Sequence, residues 1–194
     1  MRKSISIVLA VMFAVTSLFT AHAAQSTPTA DDFTYFEAIP WELPDDAVPM
    51  RVDKVHDGDS INLTEPDDDW YEQYRQIGIQ APEIEGYRDE ECYGPESAEF
   101  TEELVPDGSI VWVQQDISNT DPNGRFLRHI FIEDEDTGEY YLLSEVLVRG
   151  GYARARSYPP DDLYDDVLLE AQEYAQENNS GMWTCEEFER YLDN

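Results

Sequence analysis

Two carboxylates stand two residues apart in Asp57-Gly58-Asp59, with a glycine between them that lets the backbone turn tightly. Oxygen donors of this kind suit a hard cation, calcium or magnesium, although two carboxylates fall short of the roughly six to eight oxygens that calcium takes. On its own an Asp-Gly pair between alternating apolar residues is a hairpin turn. Further along, Arg75, Ile77 and Ile79 fall on one strand face by the period-two rule, which sets a guanidinium in register with apolar side chains. An arginine so placed needs an anionic partner, a carboxylate or a phosphate, to offset its desolvation. Glu83 follows Pro82 where that strand breaks, a place from which a carboxylate can take a proton from water. Arg125 comes after Asn123-Gly124 in an otherwise acidic chain. Two arginines can grip a phosphate in bidentate fashion and neutralise the charge that grows as water attacks phosphorus. Taken singly, Arg75 and Glu83 each read first as a member of an ordinary surface ion pair.

A second basic group, Arg149, Arg154 and Arg156, surrounds Gly150-Gly151 and neighbours Tyr152 and Tyr158. Guanidinium and phenol groups in that mix suit phosphates and a stacked base, and equally suit solvated pairing with nearby acids. The histidines offer little: neither His56 nor His129 has a partner at metal-ligand spacing, and no serine or cysteine sits in a nucleophile motif. The acidic runs Glu65 to Asp69 and Glu133 to Glu139 read as solvated turns.

The elements that must hold these residues follow from periodicity. Val48, Met50, Val52 and Val55 form a strand, His56 to Asp59 a hairpin turn, and Ile61 with Leu63 the return strand. Trp70 to Ile79 reads as a third strand, Ile110 to Val113 as a fourth and Phe126 to Ile132 as a fifth. Asn119 to Gly124 is a turn-rich loop that delivers Arg125 to a strand start. A helix follows Pro95, with Ala98, Phe100, Thr101 and Leu104 as its stripe, and a short one over Leu142 to Leu147 stops at Gly150-Gly151. Leu163, Val167, Leu168, Ala171, Tyr174 and Ala175 recur at helical spacing. The expected class is α+β, a five-stranded oligonucleotide-binding (OB-fold) β-barrel with three α-helices.

The chain has 194 residues and a formal net charge of −31, from 43 acidic against 12 basic residues. Two of those bases, Arg2 and Lys3, precede the apolar run Ile5 to Phe19 and the small-residue pattern Ala21-His22-Ala23, which together read as a signal peptide over 1–23. The apolar run is shorter than the roughly 20 residues of a membrane span, so the expected mature chain is secreted, extracellular or periplasmic, and not membrane-bound. Residues 24–47, rich in Pro, Thr, Asp and Ala, read as an extended arm, and 48–194 as one domain. Cys92 and Cys185 are expected to pair in an oxidising compartment. So acidic a surface repels itself and suits a salty setting, and it opposes polyanions, so any nucleic-acid chemistry needs a local basic site.

In order, Val55-His-Asp-Gly-Asp-Ser60, Tyr74-Arg-Gln-Ile-Gly-Ile-Gln-Ala-Pro-Glu83, Tyr93-Gly-Pro-Glu-Ser-Ala98, Asp121-Pro-Asn-Gly-Arg125, Leu143 to Ala153, Glu170-Ala-Gln and Gly181-Met-Trp183 resemble the staphylococcal nuclease (thermonuclease) family. The resemblance spans Val48 to Trp183. It implies the five-stranded barrel with three helices, and calcium-dependent hydrolysis of DNA and RNA phosphodiesters that leaves 3′-phosphate ends. The expected partner is single-stranded DNA or RNA as substrate, and the expected state is a monomer. By position, Asp59 matches a calcium ligand, Asp57 a carboxylate near the metal, Glu83 the water-activating carboxylate, and Arg75 and Arg125 the pair that stabilises the transition state. Arg154, Arg156 and Tyr158 are the candidate substrate contacts. Two departures stand out. The second acidic calcium ligand falls at Gln80 and its threonine neighbour at Ala81, leaving an amide oxygen and the Ala81 backbone carbonyl and removing a full charge from the expected Ca2+ site. Asn123 stands where a tyrosine is expected. The competing reading is a non-catalytic barrel that binds nucleic acid or a protein partner with an eroded metal site. A third is an acidic calcium-binding surface protein.

Overall fold

The computed structural model describes residues 37–86 and 89–191, without the side chains of 189–191. The leader 1–23 and the first part of the arm, 24–36, lie outside the described residues. In chain order the elements are β1 (Pro40–Trp41), β2 (Val48–Asp57), β3 (Ser60–Thr64), β4 (Tyr71–Gln76), β5 (Ile79–Gln80) and α1 (Gly94–Leu104). Then come β6 (Ile110–Gln114), β7 (Phe126–Glu133), β8 (Tyr140–Leu142), α2 (Leu143–Arg149), β9 (Arg154–Ala155) and α3 (Asp165–Glu177). Two short 3-10 turns, Gly181–Thr184 and Glu186–Tyr191, follow.

The barrel closes because β2 is long and bent. Its first residues, Val48 to Arg51, pair with β6, and Arg51 to Asp57 pair with β3. Register shifts after Val52 and Val55 mark bulges, which bend a strand and let it serve two partners on different sides. β3 pairs with β4, β4 runs parallel to β7, and β7 returns to β6, so five strands make a closed circuit with one parallel contact. Val52, Ile61, Leu63, Val111, Val113 and Phe131 are buried in it. This is the expected OB-type barrel, with the three expected helices around it. β1 and β8 extend the sheet beyond β7.

The third strand differs from its expected extent. It ends at Gln76, because Gly78 takes a positive φ of 81° that turns the chain, and Ile79–Gln80 then pairs with Arg154–Ala155 in a separate two-stranded sheet. Arg75, Ile77 and Ile79 therefore do not share one continuous strand face. The turn instead brings the Ile79 carbonyl back to accept a hydrogen bond from Arg75 Nη2 at 3.0 Å. A side chain at position 78 would meet Leu168 of α3 at 2.4 Å, so that helix also requires the glycine. Leu163 lies before α3 and is exposed, and the buried face of the helix is Leu168, Ala171 and Ala175. In α1 the buried stripe is Gly94, Ser97, Phe100 and Thr101, with Ser97 rather than Ala98 inward.

Two ties fix the outer parts. Glu145 of α2 is fully buried and accepts the Ile39 N–H and the Trp41 indole N–H, each at 3.1 Å, with Arg149 Nη2 3.5 Å away. Trp41 also packs edge-on against Tyr164. The second tie is the Cys92–Cys185 disulfide, which joins the start of α1 to the C-terminal turns across 93 residues. Closing so long a loop removes much conformational freedom from the unfolded chain. No helix among the described residues is long and apolar enough to cross a membrane.

Ser97 and Thr101 press α1 onto the β2–β3 turn, where a Cβ at Gly58 would lie 2.0 Å from Ser97 Oγ and 2.7 Å from Ala81 Cβ. Gly58→Ala is therefore expected to destabilise the fold by roughly 1–3 kcal/mol through overpacking, read from urea denaturation. An unshifted midpoint would contradict this packing. Reduction of Cys92–Cys185 is expected to lower stability by roughly 2–5 kcal/mol in the same measurement.

Candidate active site

The β2–β3 turn, the end of β4, the segment from Gln80 to Glu83 and the loop before β7 meet at one end of the barrel. They enclose a cleft of about 630 Å³ lined by Asp57, Asp59, Gln73, Arg75, Gln80, Ala81, Pro82, Glu83, Asn123 and Arg125. A second recess of about 390 Å³ shares Arg75, Gln80, Asn123 and Arg125 and continues past Asp121 to Tyr158. The two form one continuous groove. Sequence-distant candidates, Asp57, Asp59, Arg75, Gln80, Glu83 and Arg125, thus converge on a single surface.

At its floor the Asp59 carboxylate and the Arg75 guanidinium are both almost fully buried and form an ion pair. Asp59 Oδ1 also accepts the Ser60 hydroxyl at 3.1 Å, and Oδ2 accepts the Ala81 N–H at 2.8 Å. Arg75 Nη2 donates to the Ile79 carbonyl and, at 3.2 Å, to Gln80 Oε1. Burial pushes the Arg75 guanidinium below its usual value, Arg125 adds to this, and Tyr158 and Asp57 oppose it. Burial likewise raises the Asp57 carboxyl, while Arg75, Ser60 and Arg125 pull it down. The turn is cross-braced: Asp57 Oδ1 accepts the Asp59 N–H at 3.0 Å, and Gln76 Nε2 donates to the Gly58 carbonyl at 3.2 Å.

Arg125 is held by a residue that the sequence reading did not single out. Asp121 Oδ1 accepts the N–H groups of Asn123 and Arg125, and Oδ2 takes Arg125 Nε at 2.8 Å and Nη2 at 2.7 Å. Burial raises the Asp121 carboxyl, and its Arg125 contacts more than offset this, leaving it below the usual carboxylate range. Arg125 Nη1 reaches Ser60 Oγ at 3.2 Å, which joins this clamp to Asp59. The signal was present in Asp121-Pro-Asn-Gly-Arg125, a turn whose first residue stands four before the arginine.

Glu83, half-buried, is fixed through its backbone. Its N–H donates to Glu91 Oε2 at 3.0 Å and its carbonyl accepts the Glu91 N–H at 2.9 Å. Gly94 lets α1 start against that carbonyl, since a Cβ there would come within 2.3 Å of it. Glu91 precedes the bridged Cys92.

The second basic group divides. Arg149 is buried against Glu145 and over the Tyr174 ring, away from the cleft. Arg154 lies in β9 opposite Gln80. Arg156 Nη1 and Tyr158 Oη both donate to Gln80 Oε1, at 3.4 and 3.3 Å, with the Arg156 guanidinium over the Tyr158 ring. His129 is buried beside Asp116 and Tyr164, and His56 bonds Asn62, both outside the groove linings.

The donor set assigned to calcium is committed elsewhere. Gln80 Oε1 receives three donors, two of them cationic; Gln80 Nε2 donates to the Ala81 carbonyl at 3.1 Å; and both Asp59 oxygens are engaged. Among the described residues no group of three or more His, Cys, Asp or Glu side chains is arranged to hold a metal ion. Calcium takes about six to eight oxygens, and with the Asp59, Gln80 and Ala81 oxygens already engaged this donor set does not fit it.

A family model described as staphylococcal nuclease homologue matches residues 73–185, more than half of the chain. A thermonuclease of Staphylococcus intermedius is 30% identical over 133 residues, which cover 68% of this chain and 74% of that protein. A thermonuclease of Staphylococcus hyicus is 28% identical over 135 residues, 69% of this chain and 75% of its own. Barrel, convergent groove and these matches agree, and the chain belongs to the staphylococcal nuclease family.

Proposed function

We propose that this protein is a nuclease, a phosphodiester hydrolase that cleaves single-stranded DNA or RNA in the groove at the barrel end. The observation that carries the reading is the convergence of Arg75, Arg125 and Glu83 on one cleft. Relatives named thermonuclease support the same activity. Arg75 and Arg125 hold the non-bridging oxygens of the scissile phosphate and neutralise the charge that builds on them. Glu83 takes a proton from the attacking water as its oxygen bonds to phosphorus. The bond from phosphorus to the 5′ oxygen then breaks, and that oxygen takes a proton from solvent, leaving a 3′-phosphate. Calcium is given no role in these steps, because its assigned donors are committed elsewhere. Arg154, Arg156 and Tyr158 extend the groove for the neighbouring nucleotide.

The protein acts after export: residues 1–23 are a leader, 24–47 an arm, and 48–194 the nuclease domain, working as a secreted monomer. The surface charge suits a salty medium. Screening weakens its self-repulsion, so the melting temperature is expected to rise as sodium chloride increases from low to near-molar levels. A flat or falling trend would contradict this.

The nuclease reading is tested with mature protein in high salt on single-stranded DNA, with calcium or a chelator present. Wild type is expected to cleave. Arg125→Ala is expected to lose roughly 10²–10³-fold in kcat, as for removal of one transition-state donor, and Glu83→Gln roughly 10²–10⁴-fold. Absence of cleavage with any divalent ion and with chelator, while binding persists, would replace the enzyme with the binding module that Gln80 favours. Glu91 is a positioning residue: Glu91→Ala is expected to lower kcat with KM little changed, and Glu91→Gln, which keeps an acceptor for the Glu83 N–H, to restore it. Equal rates in all three would remove that role.

A further inference from the structure

Gln80 is the departure from the family pattern that the proposed reaction leaves unexplained. Its Oε1 has two lone pairs and receives three donors: Arg75 Nη2 at 3.2 Å, Arg156 Nη1 at 3.4 Å and the Tyr158 hydroxyl at 3.3 Å. For a dication to bind this oxygen, it would have to displace two guanidinium groups and then sit beside them. The next oxygen along, the Ala81 carbonyl, is turned to the Gln80 amide N–H. Asp59, the remaining assigned ligand, is neutralised by Arg75 and spends its second oxygen on the Ala81 N–H. An aspartate at position 80 would add a negative charge at this point. Glutamine adds none, and it gathers positive charge instead.

We infer that Gln80 is the hub of an anion site rather than a cation ligand. Arg75 and Arg156 are oriented from its one oxygen, with Arg125 oriented from Asp121, so that three guanidinium groups face the substrate backbone and no calcium resides at the position the family resemblance implies. The chemistry is consistent: a glutamine oxygen accepts hydrogen bonds without cancelling the charge of its donors, whereas a carboxylate there would pair with both arginines and withdraw them from a phosphate. Tyr158, which bonds the same oxygen and carries the Arg156 guanidinium over its ring, fixes the outer edge of the site.

The inference rests on the nuclease reading for its substrate and is tested by binding, not cleavage. Calcium chloride alone is titrated calorimetrically into wild type and Asp59→Asn, in high sodium chloride to suppress diffuse binding to the acidic surface. The two isotherms are expected to coincide, with no stoichiometric site. A one-to-one site present in wild type and lost in Asp59→Asn would overturn the inference. In parallel, affinity is measured for a phosphorothioate-linked single-stranded oligonucleotide, which resists hydrolysis, with chelator or with calcium. The dissociation constant is expected to be the same in both and to rise about tenfold in Arg156→Ala, as for loss of one charged phosphate contact. Binding that requires calcium, or that ignores Arg156→Ala, would contradict it. A protein that binds in chelator but never cleaves would remove the nuclease reading and leave the anion site standing.

Discussion

A carboxylate and a guanidinium buried together must satisfy each other, because either one left alone in the interior costs several kcal/mol. Asp59 and Arg75 are in that position beneath the groove. Asp59 comes from the β2–β3 turn and Arg75 from the next strand, and their contact fixes how the turn sits over the barrel end. The oxygens of Asp59 then hold Ser60 and the Ala81 N–H, which sets the start of the segment that carries Glu83. Ser60 passes the connection to Arg125, and Arg75 passes it to Gln80 and the Ile79 carbonyl. The groove is thus a consequence of one desolvated pair and its hydrogen bonds. Its tightness explains why the turn carries glycine and why α1 offers only small side chains to it.

The barrel was legible from sequence because its strands alternate and its turns carry Asp-Gly and Asn-Gly. The convergence of Asp57, Asp59, Arg75, Glu83 and Arg125 was legible from ordered motifs. Four features were not. The break at Gly78 hides in a run that is buried on both sides, where alternation carries no signal. The ties from Trp41 and Ile39 to Glu145 depend on contacts more than a hundred residues apart. Arg149 looked like part of a basic cluster, yet an acid one helical turn earlier, Glu145, draws it into the interior. The three donors on Gln80 come from separate segments, so a substitution that reads in sequence as a weakened metal ligand reads in three dimensions as a shared acceptor.

The chain is acidic overall, and the arginines of the groove are set locally among carboxylates: Asp57, Asp59, Glu83, Asp121 and Asp161 line it beside Arg75 and Arg125. Each of the three arginines has a nearby acceptor: Arg75 has Asp59, Arg125 has Asp121, and Arg156, at the exposed edge, has Gln80. The first two acceptors are anionic and the third is neutral, so Gln80 holds Arg156 without cancelling its charge. This separates substrate capture, which is short-range here, from solubility, which the rest of the surface supplies.

The central claim is that the buried Arg75 guanidinium is both a strut of the groove and a contact to the substrate phosphate. The most direct measurement is the cleavage rate of purified Arg75→Lys on single-stranded DNA, taken where a thermal melt shows the fold retained. Lysine keeps the charge and an ion pair with Asp59 but lacks the planar fork that can reach Asp59, Gln80 and a phosphate together. A loss of about a hundredfold or more in kcat, with the variant still folded, is the predicted result. A folded Arg75→Lys protein that cleaves at the wild-type rate would contradict it.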